Sequence, residues 1–414
     1  MKGIKKYRFS FFIISIILLC SVFLSQCINN GNEKIANTVA SNYDEYAGSE
    51  KCSGCHKSIY ENHLNTAHFK TSATTTANNI LGSFKEGSNT FSYSTSSLIK
   101  MEQKGEEFFQ VGYINGVEKK RQRFDMVIGS GTKGQSFASW FNNKLVQLPI
   151  TYFTSLNQWC NSPGYPNKMA FNRPITSRCL ECHTTYAEII PEESKEPEAF
   201  NKNRLLLGVD CEKCHGPAAK HVDFHTKDTL EKKGKFIINT ATLGRQQNLD
   251  LCILCHAGGL KKTTASFQFA AGKNISDYFF RDTTAKDVAS IDVHGNQYGL
   301  MAASKCFKNS TTLTCISCHN SHESEKGKEA VFSQRCVSCH TSEKHEAKIC
   351  KLTATAGKVI KEKCVSCHMP QQPSKAIAVL LQGKQILTSA TMHTHLIKAY
   401  PQETQKILAF FKTK

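Results

Sequence analysis

Seven times along the chain a Cys-x-x-Cys pair is followed at once by histidine, and this repeat constrains the protein more than any other feature. The pairs are Cys52 and Cys55, Cys179 and Cys182, Cys211 and Cys214, Cys252 and Cys255, Cys315 and Cys318, Cys336 and Cys339, and Cys364 and Cys367; the histidines are His56, His183, His215, His256, His319, His340 and His368. With 16 histidines in 414 residues, seven coincidences in seven have a chance probability on the order of 10^-10, and Cys-x-x-Cys-His is the attachment motif of c-type haem. The spacing has a chemical reason: two thiols three positions apart add to the two vinyl groups on one porphyrin edge, and the next residue sets its imidazole under the iron. Zinc ribbons also use Cys-x-x-Cys knuckles, but four ligands drawn from two knuckles give no reason for a histidine after each. A dithiol redox motif occurs singly, in a βαβ unit. The sequence therefore predicts seven covalently bound haem c groups, with the paired cysteines as thioether donors and the seven histidines as proximal iron ligands.

An iron held by one histidine needs a second axial ligand to serve as an electron carrier, or an open position to act on a substrate. Nine more histidines are present: His63, His68, His221, His225, His294, His322, His345, His393 and His395. The supply permits bis-histidine ligation at every site and does not force an open one. His322 and His345 follow His319 and His340 too closely to reach the opposite face of the same haem, so they are expected to serve neighbours. The expected distal set is His68, His221, His294, His322, His345 and His395, with His63, His225 and His393 ranked behind as surface or structural residues. Met369 follows His368 in a Cys-His-Met-Pro turn and is expected to pack. No Cys-x-x-Cys-Lys occurs, which argues against a lysine-ligated nitrite-reducing haem, and no catalytic residue is legible.

The N-terminus supplies a compartment. Lys2, Lys5, Lys6 and Arg8 precede an apolar run over residues 9–24, the pattern of an export signal and shorter than the ~20 residues that span a bilayer. Leu24-Ser25-Gln26-Cys27 resembles a bacterial lipoprotein box with Cys27 as the acylated residue; an uncleaved anchor or a non-lipid signal are the alternatives. The expected setting is an exported lipoprotein of a Gram-negative bacterium, periplasmic or anchored to the outer membrane, touching membrane through its lipid and meeting redox partner proteins. Formal charge is +18, and loss of the four signal cations leaves +14. Seven ferric haems at roughly −1 each bring this to about +7, so the basic balance compensates propionates and gives no case for nucleic acid.

Along the chain we expect a signal peptide over 1–26, a polar tether over 27–45 and a first haem segment over 46–78, where Ile59, Tyr60 and Leu64 share a helical face. Phe91, Tyr93, Phe108, Val111, Tyr113, Val127 and Ile128 fall in strand-like runs with Asn115-Gly116 as a hairpin turn. They predict a small antiparallel β module over 84–155, inserted between the first and second motifs. A haem domain with six motifs follows over 170–370, then a helical tail over 371–414, amphipathic from Gln402. The expected fold class is mainly α and irregular packing around stacked haems. Gly129-Ser-Gly131-Thr-Lys-Gly134 matches G-x-G-x-x-G but lacks the acidic residue a dinucleotide needs, and reads as a glycine turn. The acid-free stretch with Lys133, Trp140, Lys144, Trp159, Lys168, Arg173 and Arg178 reads first as a propionate-neutralising surface and second as a cationic face for an anionic substrate or acidic partner. Three thiols remain outside the motifs and signal, and a Cys306–Cys350 disulfide with Cys160 free is the expected arrangement.

Several segments resemble the large multihaem cytochrome c group that includes hydroxylamine oxidoreductase, octahaem tetrathionate reductase and the tetrahaem cytochrome of ammonia oxidisers. They are Tyr46-Ala-Gly-Ser-Glu-Lys-Cys52 through His56 with Thr66-Ala-His68, Cys211-Glu-Lys-Cys-His-Gly-Pro217 with His221, Leu313-Thr-Cys-Ile-Ser-Cys-His-Asn-Ser-His322, and the Cys-His-Met-Pro370 turn. The resemblance implies mainly helical haem packing and bis-histidine ligation; the octahaem enzymes carry one more haem and a catalytic site with no matching position here. The expected function is electron transfer between redox partners through bis-histidine haems. The alternative is an oxidoreductase acting on a small nitrogen or sulfur compound at one five-coordinate haem.

Overall fold

The computed structural model describes residues 42–191, 197–282, 287–340, 350, 352 and 358–412. The expected signal peptide, Cys27, most of the tether and His345 lie outside these residues. All that follows lies in one unit, Ser41–Lys414.

Strands begin soon after the first motif. β1 (Ser72–Thr74) precedes β2 (Thr90–Ser92), β3 (Ser97–Lys104), β4 (Glu107–Ile114) and β5 (Val117–Arg123), and β2 to β5 pair in chain order as a four-stranded antiparallel meander. Asn115 and Gly116 have φ of 50° and 76°, the left-handed pair that a two-residue hairpin turn requires. β5 buries none of its residues and carries Lys119, Lys120, Arg121 and Arg123 along the edge, which blunts an otherwise open ladder.

A second sheet runs through the rest of the protein. Its strands are β6 (Met126–Ile128), β7 (Gly134–Phe141), β8 (Lys144–Gln147), β9 (Ile150–Phe153), β10 (Gln158–Asn161), β11 (Arg173–Pro174), β12 (Thr184–Ile190), β13 (Ala199–Leu207), β16 (Gln371–Leu380) and β17 (Leu387–His393), joined by β1; β14 (Lys261–Lys262) and β15 (Phe279–Phe280) form a separate short ladder. The main path is β12-β13-β8-β7-β9-β10-β16-β17, with β1, β6 and β11 on its flanks. Gly129 and Gly131, with φ of 103° and 78°, shape the turn between β6 and β7, and a Cβ on Gly129 would stand 2.9 Å from the Gly134 carbonyl oxygen. The glycine-turn reading of that motif is therefore the structural one.

Period-two alternation sends neighbouring side chains to opposite faces. Val127 and Phe137 join Phe91, Ile99, Met101, Phe108 and Trp159 in a core shared with the meander. Met126 and Ala138 instead join Leu145, Ile175, Leu180, Tyr186, Phe200 and Phe267 on the side of the second motif. One sheet thus separates an ordinary β core from the motif-bearing region.

Two expectations are revised. The β structure is not a small insertion in a mainly α fold, because β12 and β13 follow the second motif and β16 and β17 follow the seventh. Residues 371–393 are a hairpin, and the helix of the tail is confined to Pro401–Lys412. The hairpin forms because Gln382-Gly383, with Gly383 at φ 71°, separates two strand-competent runs whose Ala378, Val379 and Ala390 are buried. It is recruited by the open edge of β10, where Asn161 pairs with Leu380.

The helices are short: α1 (Ser49–Cys52), α2 (Lys57–His63), α3 (Ser177–His183), α4 (Cys211–His215), α5 (Ala219–Lys227), α6 (Arg245–His256), α7 (Gln297–Ala302), α8 (Lys305–Lys308), α9 (Glu329–Val337), α10 (Cys364–His368) and α11 (Pro401–Lys412). Among the described residues no helix is long and apolar enough to cross a membrane.

Candidate functional site

Each motif is wound into a helical turn. Motifs two, three, four and seven lie within α3, α4, the last turn of α6 and α10. In motifs one, five and six the histidine amide donates to the carbonyl of the first cysteine, His56 to Cys52 at 2.8 Å, His319 to Cys315 at 3.0 Å and His340 to Cys336 at 3.0 Å. A helical turn puts positions i, i+3 and i+4 on one face, so both thiols and the imidazole of every motif are presented together. Motif three shows how the turn is bounded: the Asp210 carboxylate accepts the Cys211 amide at 2.8 Å, and Gly216, at φ 79°, ends it.

The histidines form facing pairs. His215 and His322 have ring centroids 6.1 Å apart with planes 18° from parallel, His319 and His395 are 6.1 Å apart at 26°, and His68 and His256 are 6.1 Å apart at 64°. These spacings fit a shared iron. Two metal–imidazole bonds of about 2.0 Å, plus about 1.1 Å from each ring nitrogen to its centroid, give a separation of about 6.2 Å. His294 lies within electrostatic reach of His183 and His256. His221 packs on His225, with centroids 4.7 Å apart, and faces no motif histidine in a ring contact among the described residues.

Ring orientation is fixed from the other nitrogen. The Nδ1 of His215 meets the Ile238 carbonyl at 2.8 Å, that of His221 the Lys235 carbonyl at 2.7 Å, that of His256 the Gln297 side-chain oxygen at 3.1 Å, that of His183 the Thr71 hydroxyl at 3.1 Å and that of His368 the Lys398 carbonyl at 2.9 Å. An anchored Nδ1 leaves Nε2 as the ligating nitrogen, as in metal-bound histidines generally. Burial pushes His68 and His395 down to about 4 and lowers His183, His256, His319 and His322. Burial therefore favours the neutral imidazole, which is the ligand form.

One histidine that the sequence ranks behind stands out. His63 is 7% exposed, its Nε2 is buried without a hydrogen-bond partner, and the Asp210 carboxylate lies 3.5 Å away. No sequence signal distinguishes it from a structural histidine. In the acid-free cationic stretch, Trp140 is covered by Lys202, from outside the stretch, at 5.2 Å. Arg178 turns inward, donating to the Leu254 carbonyl at 2.7 Å and lying over Phe279.

The expected Cys306–Cys350 disulfide is not formed: Cys160, Cys306 and Cys350 are all free thiols. The two candidates lie in the electrostatic reach of different motifs, Cys306 of Cys318, Cys336 and Cys339, and Cys350 of Cys364 and Cys367. Cys160 is buried in β10, and burial pushes its thiol up to about 12.

Motifs five and six are tied by Arg335, which donates to the Cys318 carbonyl at 2.7 Å and pairs with both oxygens of the buried Glu325 carboxylate. Glu325 also accepts the Asn320 amide at 2.9 Å. Arg335→Met is expected to cost about 2 kcal/mol at neutral pH by leaving that carboxylate buried and unpaired. The Arg335 hydrogen bond holds Glu325 below the usual carboxylate range. A depressed carboxylate stabilises the fold above its unfolded value of about 4.3 and loses that contribution as pH falls below it. Urea midpoints should therefore separate wild type and variant at pH 7, and the gap should narrow as pH falls below about 4.3 and through the depressed folded-state value of Glu325.

In the motif chemistry, two thiols and one histidine would hold each haem and the facing histidine would close the iron. The sequence model of the family "Cytochrome c554 and c-prime" matches residues 162–216, which include motifs two and three. The crystal structure of outer cell wall cytochrome OcwA has a similar fold, with TM-score 0.54 and 16% identity over 87% of this chain and 81% of that one. No curated protein matches the sequence. The segment match, the shared fold and the Cys-x-x-Cys-His turns together support a multihaem cytochrome c, with covalently bound haem c as its cofactor.

Proposed function

We propose that the protein is a heptahaem electron carrier, with one haem c on each motif and bis-histidine ligation, passing electrons between redox partner proteins. The observation that carries this reading is the recurrence of one spacing, 6.1 Å, between a motif histidine and a distant histidine in three separate pairs. Bound haem supplies a one-electron ferric–ferrous couple. The chain's own residues do the rest: cysteines fix each porphyrin edge, Nδ1 partners hold the imidazole planes, and the surrounding core keeps the rings neutral. Preorganised ligands in both redox states keep the reorganisation at each site small. His68, His322 and His395 are the distal ligands of the fourth, third and fifth motifs in this assignment, and His294 is that of the second.

The location is the envelope or cell exterior, supported by the export pattern with Cys27 as a lipid anchor and by the likeness to OcwA, an outer cell wall cytochrome. A periplasmic or outer-membrane lipoprotein of a Gram-negative bacterium satisfies both. Kinship with the hydroxylamine oxidoreductase group belongs to the same proposal and rests on the motif segments quoted above.

Low-temperature EPR of the oxidised holoprotein, with haem counted as the pyridine haemochrome, tests the reading. Seven haems per chain, all low-spin, are expected. The crossed planes of His68 and His256 should give a strongly anisotropic low-spin signal, and the near-parallel pairs an ordinary rhombic one. A high-spin ferric signal accounting for several haems would overturn bis-histidine ligation.

A further inference from the structure

The motifs do not meet in space in the order they occupy in the chain. Glu212 of motif three accepts the amides of Ala47 and Gly48, just before motif one, at 2.8 and 2.9 Å. Motif two joins motif four instead: Arg178 donates to the Leu254 carbonyl at 2.7 Å, and the Cys182 sulfur lies 3.8 Å from that carbonyl and the Cys255 sulfur 3.9 Å from the Glu181 carbonyl. Motif four meets motif five through Arg245, whose Nε donates to the Leu313 carbonyl at 3.0 Å and whose guanidinium also donates to the Phe307 carbonyl at 3.4 Å. Motif five is bound to motif six by Arg335 on the Cys318 carbonyl. Motif six is bound to motif seven by the Cys364 amide on the Ser333 hydroxyl at 3.1 Å and the Ser366 amide on Glu329 at 3.2 Å.

Motifs two, three and four converge. Glu181, Glu212, Lys213 and Leu254, drawn from all three, line one cavity together with Phe267. Lys213 lies over Phe267 at 5.1 Å, and the Phe267 amide donates to Glu181 at 2.9 Å. His322, three residues beyond motif five, stands 6.1 Å from the His215 ring of motif three, so the segment after motif five borders the same region.

We propose that the electron path is a three-way junction rather than a line in chain order. One arm runs from motif three to motif one, the second is motif two alone, and the third runs from motif four through five and six to seven. Adjacency of attachment sites sets adjacency of haems because a thioether-linked porphyrin cannot leave its motif. A three-ended conduit can accept electrons at one end and deliver them at two, so it suits a carrier that distributes electrons between two acceptors, which a linear wire does not.

The inference rests on the haem reading above, and one experiment separates their failures. Iron positions in the holoprotein, located by anomalous scattering at the iron edge and assigned by the attached cysteines, give both a count and a neighbour map. The expected map has the motif-one iron nearest to that of motif three, the motif-two iron nearest to that of motif four, and the motif-seven iron with motif six as its single close neighbour. Irons succeeding one another as one, two, three and four would overturn the junction. Fewer than seven irons would overturn the haem count of the proposed function, while the neighbours among those present would still decide the order.

Discussion

Replacing His322 with alanine is expected to convert one haem, about one-seventh of the total, from low-spin to high-spin without changing the haem count. In the proposed assignment the thioethers of Cys211 and Cys214 and the proximal imidazole of His215 would remain, so attachment would survive. The lost group is the ring that faces His215 at 6.1 Å and 18°. An iron left with one axial histidine is five-coordinate or takes water, and its ferric form becomes high-spin. EPR should show a new high-spin signal matched by loss of rhombic low-spin intensity, and added imidazole should restore the original spectrum. Rescue distinguishes a missing ligand from a collapsed pocket. A wholly low-spin spectrum in His322→Ala would remove His322 from the ligand set and weaken the spacing argument for the other two pairs.

What is legible in the sequence differs between local and distant relations. The motif turns are local: a helical turn is what presents residues i, i+3 and i+4 together, and the sequence states those positions outright. The hairpin at Asn115-Gly116 is legible for the same reason, since the turn dictates its own residues. The hairpin of β16 and β17 carries an equivalent signal in Gln382-Gly383, but its burial depends on the free edge of β10 more than 200 residues away in the chain, and no local pattern reports an edge. Distal ligation is harder still. His68 and His256 share no local context, and only the approach of α6 to the segment after the first motif brings their rings within 6.1 Å, with planes crossed at 64°. His221 is less clear-cut: its position after a Cys-His-Gly-Pro turn marks it as a ligand candidate and its Nδ1 is anchored by the Lys235 carbonyl, while its ring contact among the described residues is with His225. His63 ranks low by sequence because nothing near it in the chain reveals that its Nε2 is sealed from partners.

The variable positions inside the motifs carry more structure than their variability suggests, and Glu212 gives the second large effect. Its carboxylate is 4% exposed and accepts three backbone amides, from Ala47 at 2.8 Å, Gly48 at 2.9 Å and Ala218 at 2.7 Å. Hydrogen bonds to a charged group are worth about 1.5–3 kcal/mol each, and a buried amide left without an acceptor costs about 1–3 kcal/mol. These contributions overlap, so Glu212→Ala is expected to lose about 4 kcal/mol, with Glu212→Gln intermediate because it keeps acceptor capacity on one oxygen. Thermal and urea denaturation of the holoprotein measure the loss, and limited proteolysis should show new cleavage near residues 42–48 as the segment before motif one is released. Glu181, the second residue between the cysteines of motif two where Glu212 is the first in motif three, accepts the Phe267 amide and the Arg178 guanidinium. Each of these glutamates sits between the two cysteines of a motif and binds a segment from elsewhere in the chain, Glu212 the residues before motif one and Glu181 the Phe267 amide. Positions that the attachment chemistry leaves free thus serve to fasten the motif to its surroundings. A wild-type stability in Glu212→Ala would show instead that the thioether-linked cofactors alone hold motifs one and three together.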